Sequence, residues 1–346
     1  MRQINIFSAC LVALLAIAGL ADRTTAAPLD ELIAGAKKEG VIEFYAPSSI
    51  TPQGAEELEA AFNKKYGLNI SLRYHPSGNM TRDVGKLVGM AATGVAPEWD
   101  LMVVTDAHHA TLWLKKLHHP YDYRKVGVDS QLIHFDNSAI SFANQIVLPA
   151  YNKKTVPAKD VPKKWEDLLD PKWKGSKLGV STATHHLARL AVGAWGEEKT
   201  TKFVKGLVKQ ELTLGRLSEL YTRLLLGEIA IAVTLTDSNI NEAKEKGAPV
   251  VFAEGIVPVI SPAYHAGVLK GAPHPNTGHL FAAFLTSDEA QRIWEKHNGQ
   301  TSAFVPGTST YKYLQGKQAL FMNQNQAKDV DRLAREYGKI LGFTRR

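Results

Sequence analysis

From Val41 to Val104 the chain alternates between two periods, and this alternation constrains the fold more than any other feature of the sequence. Val41 to Tyr45 (VIEFY) reads as a short strand, rich in β-branched and aromatic residues. Thr51-Pro52 opens a helix with a capping hydroxyl and a proline at its first position. Ala55, Leu58 and Phe62 then recur at helical spacing until Gly67. Leu68, Ile70 and Leu72 alternate as a second strand, and His75 to Asn79 is a loop. Val84, Leu87, Val88 and Ala91 mark the next helix, and Asp100 to Val104 (DLMVV) closes a β-α-β-α-β unit. That is the pattern of a doubly wound α/β sheet. A helix carrying Leu29, Leu32, Ile33 and Ala36, stopped by Gly40, precedes it.

The middle of the chain repeats the theme. Ile146 to Ala150 is a strand ending in Tyr151-Asn152, followed by a proline- and tryptophan-rich stretch from Val156 to Lys174. A strand over Lys177 to Val180 leads into Ser181-Thr182-Ala183-Thr184 and a helix carrying Leu187, Leu190, Ala191 and Ala194. Ile229 to Val233 is another strand, before a helix over Asn239 to Lys246. Two doubly wound α/β lobes fit this better than one sheet, since more than about 250–300 residues seldom share a single core. No stretch rich in glycine, serine and proline separates them, so strands should carry the chain across.

The first 26 residues predict export. Met1-Arg2 is a short positive start, and the apolar run from Ile6 to Ala21 is about sixteen residues. That suits a signal-peptide core and falls short of the roughly twenty residues of a spanning helix. Small residues allow cleavage after Ala26 or Ala21. The only cysteine, Cys10, sits inside the apolar run rather than at its end, which argues against a lipid anchor. The mature chain would have no thiol for disulfides, thiol catalysis or thiolate metal sites. The formal charge of +7 is spread among mixed acidic and basic residues, with no arginine-rich tail or basic helix, so no nucleic-acid partner is expected.

No nucleophile elbow, HExxH, P-loop or GxGxxG occurs, and the pairs His108-His109, His118-His119 and His185-His186 read as packing or surface histidines. Adjacent residues on one element point apart and seldom serve one metal. No catalytic set and no cofactor is expected. The loops at the strands' carboxyl ends are more informative. They read Ala46 to Thr51, Pro76 to Asn79, Thr105-Asp106 and Ser181 to His185, small and hydroxyl-rich. In an open α/β sheet ligands gather at this edge, where helix N-termini offer free N–H groups to an anion.

Two stretches resemble a known family. Tyr151-Asn152-Lys153-Lys154-Thr155-Val156-Pro157 followed by Pro162 to Gly175 (PKKWEDLLDPKWKG) looks like the hinge and second-lobe signature of the type 2 periplasmic solute-binding proteins of ABC importers. Gly267 to Pro275 and Phe284 to Gln291 resemble that fold's return into the first lobe, in the branch that includes the ferric-iron-binding proteins. The resemblance implies lobe 1 over residues 27–145 and 256–300, and lobe 2 over 146–255 and 301–346, behind a signal peptide of residues 1–26. It implies a periplasmic monomer that closes on a small ligand by hinge motion and docks on an inner-membrane permease.

The same resemblance bears on the ligand. The iron-binding relatives hold their metal largely with two adjacent tyrosines, whose places fall near Asp237 and Ser238; both tyrosines are missing. Their histidine and glutamate correspond to the neighbourhoods of Ser48-Ser49 and Thr105-Asp106, while the anion-holding loop survives as Thr182-Ala183-Thr184. The expected ligand is therefore a small organic or oxy-anion of carboxylate, phosphate or phosphonate type. Ser48, Ser49, Ser77 and Thr105 would contact it from lobe 1. Thr182, Thr184, His185, Arg216 and Asp237 would do so from lobe 2, with Tyr151 at the hinge. The alternative is ferric iron or another metal on Asp106, Asp237 and a histidine such as His185 or His75. A secreted transferase on the same fold is the remote third reading.

Overall fold

The computed structural model describes residues 27–343. Residues 1–26, where the export signal and Cys10 are expected, and residues 344–346 lie outside the described residues. A helix over residues 27–39 (α1) leads into β1 (Val41–Pro47), α2 (Thr51–Tyr66), β2 (Ser71–Ser77), α3 (Met80–Ala92), β3 (Leu101–Thr105), α4 (Asp106–Leu114), β4 (Ile133–His134) and β5 (Ala139–Asn144). There follow β6 (Val147–Asn152), β7 (Leu178–Ser181), α5 (His185–Leu190), α6 (Glu197–Val208), β8 (Thr213–Gly215) and α7 (Leu217–Leu226). Next come β9 (Ile231–Thr236), α8 (Asp237–Glu245), β10 (Val250–Phe252) and β11 (Val259–Ile260). The chain ends with β12 (Ala263–Val268), α9 (Pro275–Leu285), α10 (Asp288–Asn298), α11 (Ser309–Leu314), β13 (Ala319–Leu320) and α12 (Ala327–Leu341).

These strands form two sheets, one for each lobe. The first runs β2-β1-β3-β12-β5-β4, and the second β13-β11-β6-β9-β7-β8 with β10 also on β6. In the first, β1 lies parallel to β2 and β3, while β12 is antiparallel to β3 and β5. In the second, β7 is parallel to β8 and β9, and β6 is antiparallel to β9. This is the expected pair of doubly wound α/β lobes. Each has its own core: Phe44, Phe62, Phe281 and Phe284 meet edge-on or tilted in lobe 1, and Trp165, Leu178, Leu220 and Val233 are fully buried in lobe 2.

The elements expected from the sequence differ from the structure chiefly at their ends, while β4, β5, β8 and β10 to β13 were not among them. Leu68 and Ile70 precede β2 rather than start it. The Asn63 amide takes both backbone groups of Ile70, donating to its carbonyl at 2.9 Å and accepting from its N–H at 2.8 Å. Gly67, left-handed at φ 63°, turns the chain out of α2 just before. The expected loop at His75 to Asn79 is strand through Ser77, because β1 itself continues to Pro47 and the two pair in register. Both strands thus end together, and the loops after them open on the same edge.

Three short segments join the lobes: β5 to β6, β11 to β12, and α10 onward past Gly299. They are tied to one another. Asn144 N–H donates to the Thr301 carbonyl at 2.9 Å, Gln145 N–H to Pro262 at 2.7 Å, and Ala303 N–H to the Asn144 side chain at 2.9 Å. The second crossing lies at Ser261–Pro262 rather than near residue 256, because β11 still pairs with β6 and β13. The C-terminal α12 touches both lobes, packing on α5 and α6 while Asp331 accepts from Thr111 of α4 at 2.9 Å.

Candidate functional site

Between the lobes lies a cleft of about 970 Å³, walled by the loops at the strands' carboxyl ends and the helix N-termini they feed. From lobe 1 the loops after β1 and β2 bring Ser48, Ser49 and Asn79, the end of β2 brings Ser77, and the start of α4 brings Thr105 and His108. From lobe 2 come Thr182, His185 and His186 after β7, Arg216 and Ser218 at the start of α7, and Ser238 and Asn239 at the start of α8. Gln145 and Tyr264, joined by a 2.7 Å hydrogen bond, lie beside the crossings.

Local chemistry explains why these ends face the gap. The Asn79 side chain accepts from the Arg82 N–H at 3.0 Å and caps α3. The carboxylate of Glu219 reaches back to the Arg216 N–H at 2.8 Å and holds the start of α7. Each helix is thereby fixed at the sheet edge with part of its first turn toward the cleft. The positive ends of those dipoles favour negative charge between the lobes.

Seven of the ten expected site residues line this cleft: Ser48, Ser49, Ser77, Thr105, Thr182, His185 and Arg216. Some are already engaged. Tyr45 donates its hydroxyl to Ser77, the Thr105 hydroxyl pairs with His108 Nδ1 at 2.8 Å, and both Nε and Nη2 of Arg216 donate to Glu219. The other three lie elsewhere. Tyr151 is not at the hinge: it sits toward the far end of β6, paired with Ile231 and Val251 and packed on the core of lobe 2. Thr184 turns away and donates to the Ala334 carbonyl of α12 at 2.7 Å.

Asp237 is buried behind the cleft, at the crossings rather than in the site. Its carboxylate accepts from the N–H groups of Ile146 and Ser238, both at 3.1 Å, and from the Gln300 amide. Desolvation raises this carboxyl to about 7 against the pull of those donors. Asp106 is likewise committed, forming an ion pair with Arg189 that spans the lobes with each side chain only 1 % exposed. His75 lies on the outer part of lobe 1, 2.6 Å from Glu43. The ligand set considered for a metal, Asp106 and Asp237 with His185 or His75, is therefore not assembled at one place. Among the described residues no group of three or more His, Cys, Asp or Glu is placed to hold a metal ion.

The histidines expected to pack or lie on the surface are mostly buried. His108 and His186, set aside on that expectation, line the cleft beside His185. Burial holds His108 and His185 well below the ordinary imidazole range and takes His186 down to about 3. A signal was available in Thr105-x-x-His108, the spacing that sets a cap hydroxyl beside a first-turn side chain. Gln145 and Tyr264 carried no such local signal, since only the crossings bring them together.

Known proteins place this arrangement. A family described as bacterial extracellular solute-binding proteins matches residues 42–298. One curated relative, an uncharacterized protein of Haemophilus influenzae, is 32% identical over 154 residues, 40% of this chain; the chain spans 41% of that relative's length. Solved structures share the fold at low identity. Iron-bound HitA from Pseudomonas aeruginosa has a TM-score of 0.67 at 18% identity, covering 86% of this chain and 99% of its own. AgtB of Agrobacterium tumefaciens, in complex with agropinic acid, has a TM-score of 0.68 at 16%, covering 86% and 98%. An ABC-transporter substrate-binding protein from Agrobacterium tumefaciens reaches 0.70 at 14%, covering 88% and 96%. With the family matching well over half of its length, the chain belongs to the bacterial extracellular solute-binding proteins, on the type 2 periplasmic-binding-protein fold.

Proposed function

We propose that this protein is the periplasmic capture component of an ABC importer and that it takes a small organic or oxy-anion of carboxylate, phosphate or phosphonate type between its lobes. A cleft walled by helix N-termini, hydroxyls and amides is the observation that supports this reading, and the tyrosine pair that the resemblance implies near Asp237 and Ser238 is missing from the sequence. Fe(III) prefers hard anionic oxygen ligands, and the two carboxylates considered for it are held by Arg189 and by the crossing segments. In this reading residues 1–26 direct export and are removed. The ligand then draws the lobes together about the three crossings, and the closed monomer engages an inner-membrane permease.

A thermal-shift screen tests it. A ligand present at about 100 times its Kd adds about 2.7 kcal/mol of stability, so a specific anion should raise Tm clearly. Stabilisation by Fe(III) chelates and by none of the carboxylates, phosphates or phosphonates would refute the reading. Native mass spectrometry of protein purified without added ligand gives an independent identification of whatever it retains.

A further inference from the structure

Three imidazoles meet where the lobes approach each other beside the cleft. His108 stands on α4 of lobe 1, and His185 and His186 open α5 of lobe 2. The ring centroids of His108 and His185 are 5.0 Å apart, and those of His185 and His186 are 4.4 Å apart. All three line the cleft, yet they are only 8 %, 7 % and 1 % exposed. Their hydrogen bonding is unequal. Both nitrogens of His108 are used, Nδ1 with Thr105 at 2.8 Å and Nε2 with Thr81 at 3.1 Å. By contrast Nε2 of His185 and Nδ1 of His186 are buried without any partner.

Buried polar atoms are nearly always paired, because leaving one unpaired forfeits its hydration for nothing in return. Gln145 Oε1 and Asn298 Oδ1 of the cleft lining are buried without a hydrogen-bond partner too, but the two ring nitrogens stand on adjacent residues, where one ligand can supply both missing bonds. We propose that His185 and His186 form the ligand-selecting subsite of the cleft, bonding oxygen atoms of the captured anion, with His108 as the opposing wall fixed by its two threonines. The proposal rests on the anion reading given above. Burial keeps these rings neutral at pH 7, so each can present an N–H to an oxygen acceptor without a fixed cation being buried beside it. Selectivity follows, since a ligand lacking a suitably placed oxygen leaves the nitrogens unpaired. Among the described residues Arg216 is the only arginine lining the cleft, and its guanidinium is already committed to Glu219.

Calorimetric titration of the full mature chain tests this, with citrate, inorganic phosphate and methylphosphonate as probes against the wild type, His185→Leu, His186→Leu and the corresponding glutamine variants. At least one probe should bind the wild type, and each leucine variant should bind it about tenfold or more weakly, the loss expected for a hydrogen bond to a charged group. The glutamine variants, which keep a donor, should recover part of that loss. Leucine replaces an unpartnered polar group, so the melting temperature should be held, separating lost binding from lost folding. If a leucine variant does not fold, imidazole N–H spectra of the wild type decide, because the probe must move the His185 and His186 signals. A probe that binds wild type and leucine variants equally, or leaves those signals unmoved, overturns the subsite alone. Failure of all three probes to bind the wild type overturns the anion reading and the subsite with it.

Discussion

Replacing Arg189 by methionine removes one half of an ion pair that no water reaches. Arg189 of α5 and Asp106 of α4 are each 1 % exposed, and the pair joins the two lobes beside the cleft. The methionine fills most of the volume but leaves the buried Asp106 carboxyl without its cation. Its Oδ1 then keeps only the Ala107 N–H at 2.8 Å, while Oδ2 has no partner even in the intact pair. Breaking a buried pair in this way costs about 3–5 kcal/mol. At about 2 °C per kcal/mol, the lower figure for larger chains, Tm should fall by about 6–10 °C. The double variant Asp106→Leu with Arg189→Met removes both charges, and it should regain most of that loss because neither desolvated group remains. Calorimetric melts of the wild type, the two single variants and the double variant close the cycle. Arg189→Met melting within about 1 °C of wild type, or a double variant showing the full sum of the single losses, would refute this account of the pair.

The Asp237 carboxyl, raised to about 7 by burial, should make stability depend on pH in the direction opposite to a salt-bridged carboxylate. Its contribution is full below the ordinary carboxylate value near 4, declines as pH rises, and is gone above about 7. Urea midpoints should therefore fall more from pH 5 to pH 7 for the wild type than for Asp237→Asn, and equal slopes would contradict the shift. Asn63→Ala breaks both hydrogen bonds to Ile70 and should cost about 1–3 kcal/mol in chemical denaturation. At the third crossing, Gly299 has φ 70° and an added Cβ would clash with the Asn241 amide. Gly299→Ala should cost about 1–3 kcal/mol from backbone strain alone; Asn241→Ala in the same chain should relieve the clash but not the strain, as melting temperatures will show.

Much of the fold was legible because its signals are local. The alternation of short apolar runs with helical stripes from Val41 to Val104 marked the first lobe's parallel strands, and the hydroxyl-rich loops at their carboxyl ends marked the cleft wall. The site was legible only in part. Ser48, Ser49, Ser77, Thr105, Thr182, His185 and Arg216 line the cleft because each sits in or beside a helix-starting loop, which sequence can locate. Thr184 sits in the same kind of loop and carries the same hydroxyl, yet that hydroxyl serves a carbonyl 150 residues away. Asp237 also opens a helix, yet it accepts from Ile146 across 91 residues and from Gln300 across 63. Nothing local distinguishes such a residue from its neighbour in the cleft.

By itself the sequence determined the β-α-β-α-β order of the first lobe from Val41 to Val104, the helix starts along the sheet edges and the chemical character of the loops there, since these depend on residues within a turn or two of each other. The tertiary structure decided which side chains remain for a ligand. It spent Asp106 on Arg189, Thr184 on α12 and Asp237 on the crossings, and it left His185 and His186 each with a buried ring nitrogen that has no partner. The physical reason is that a buried polar group must find a partner wherever the folded chain places one, and here those partners lie far away in sequence and on the other side of a lobe boundary.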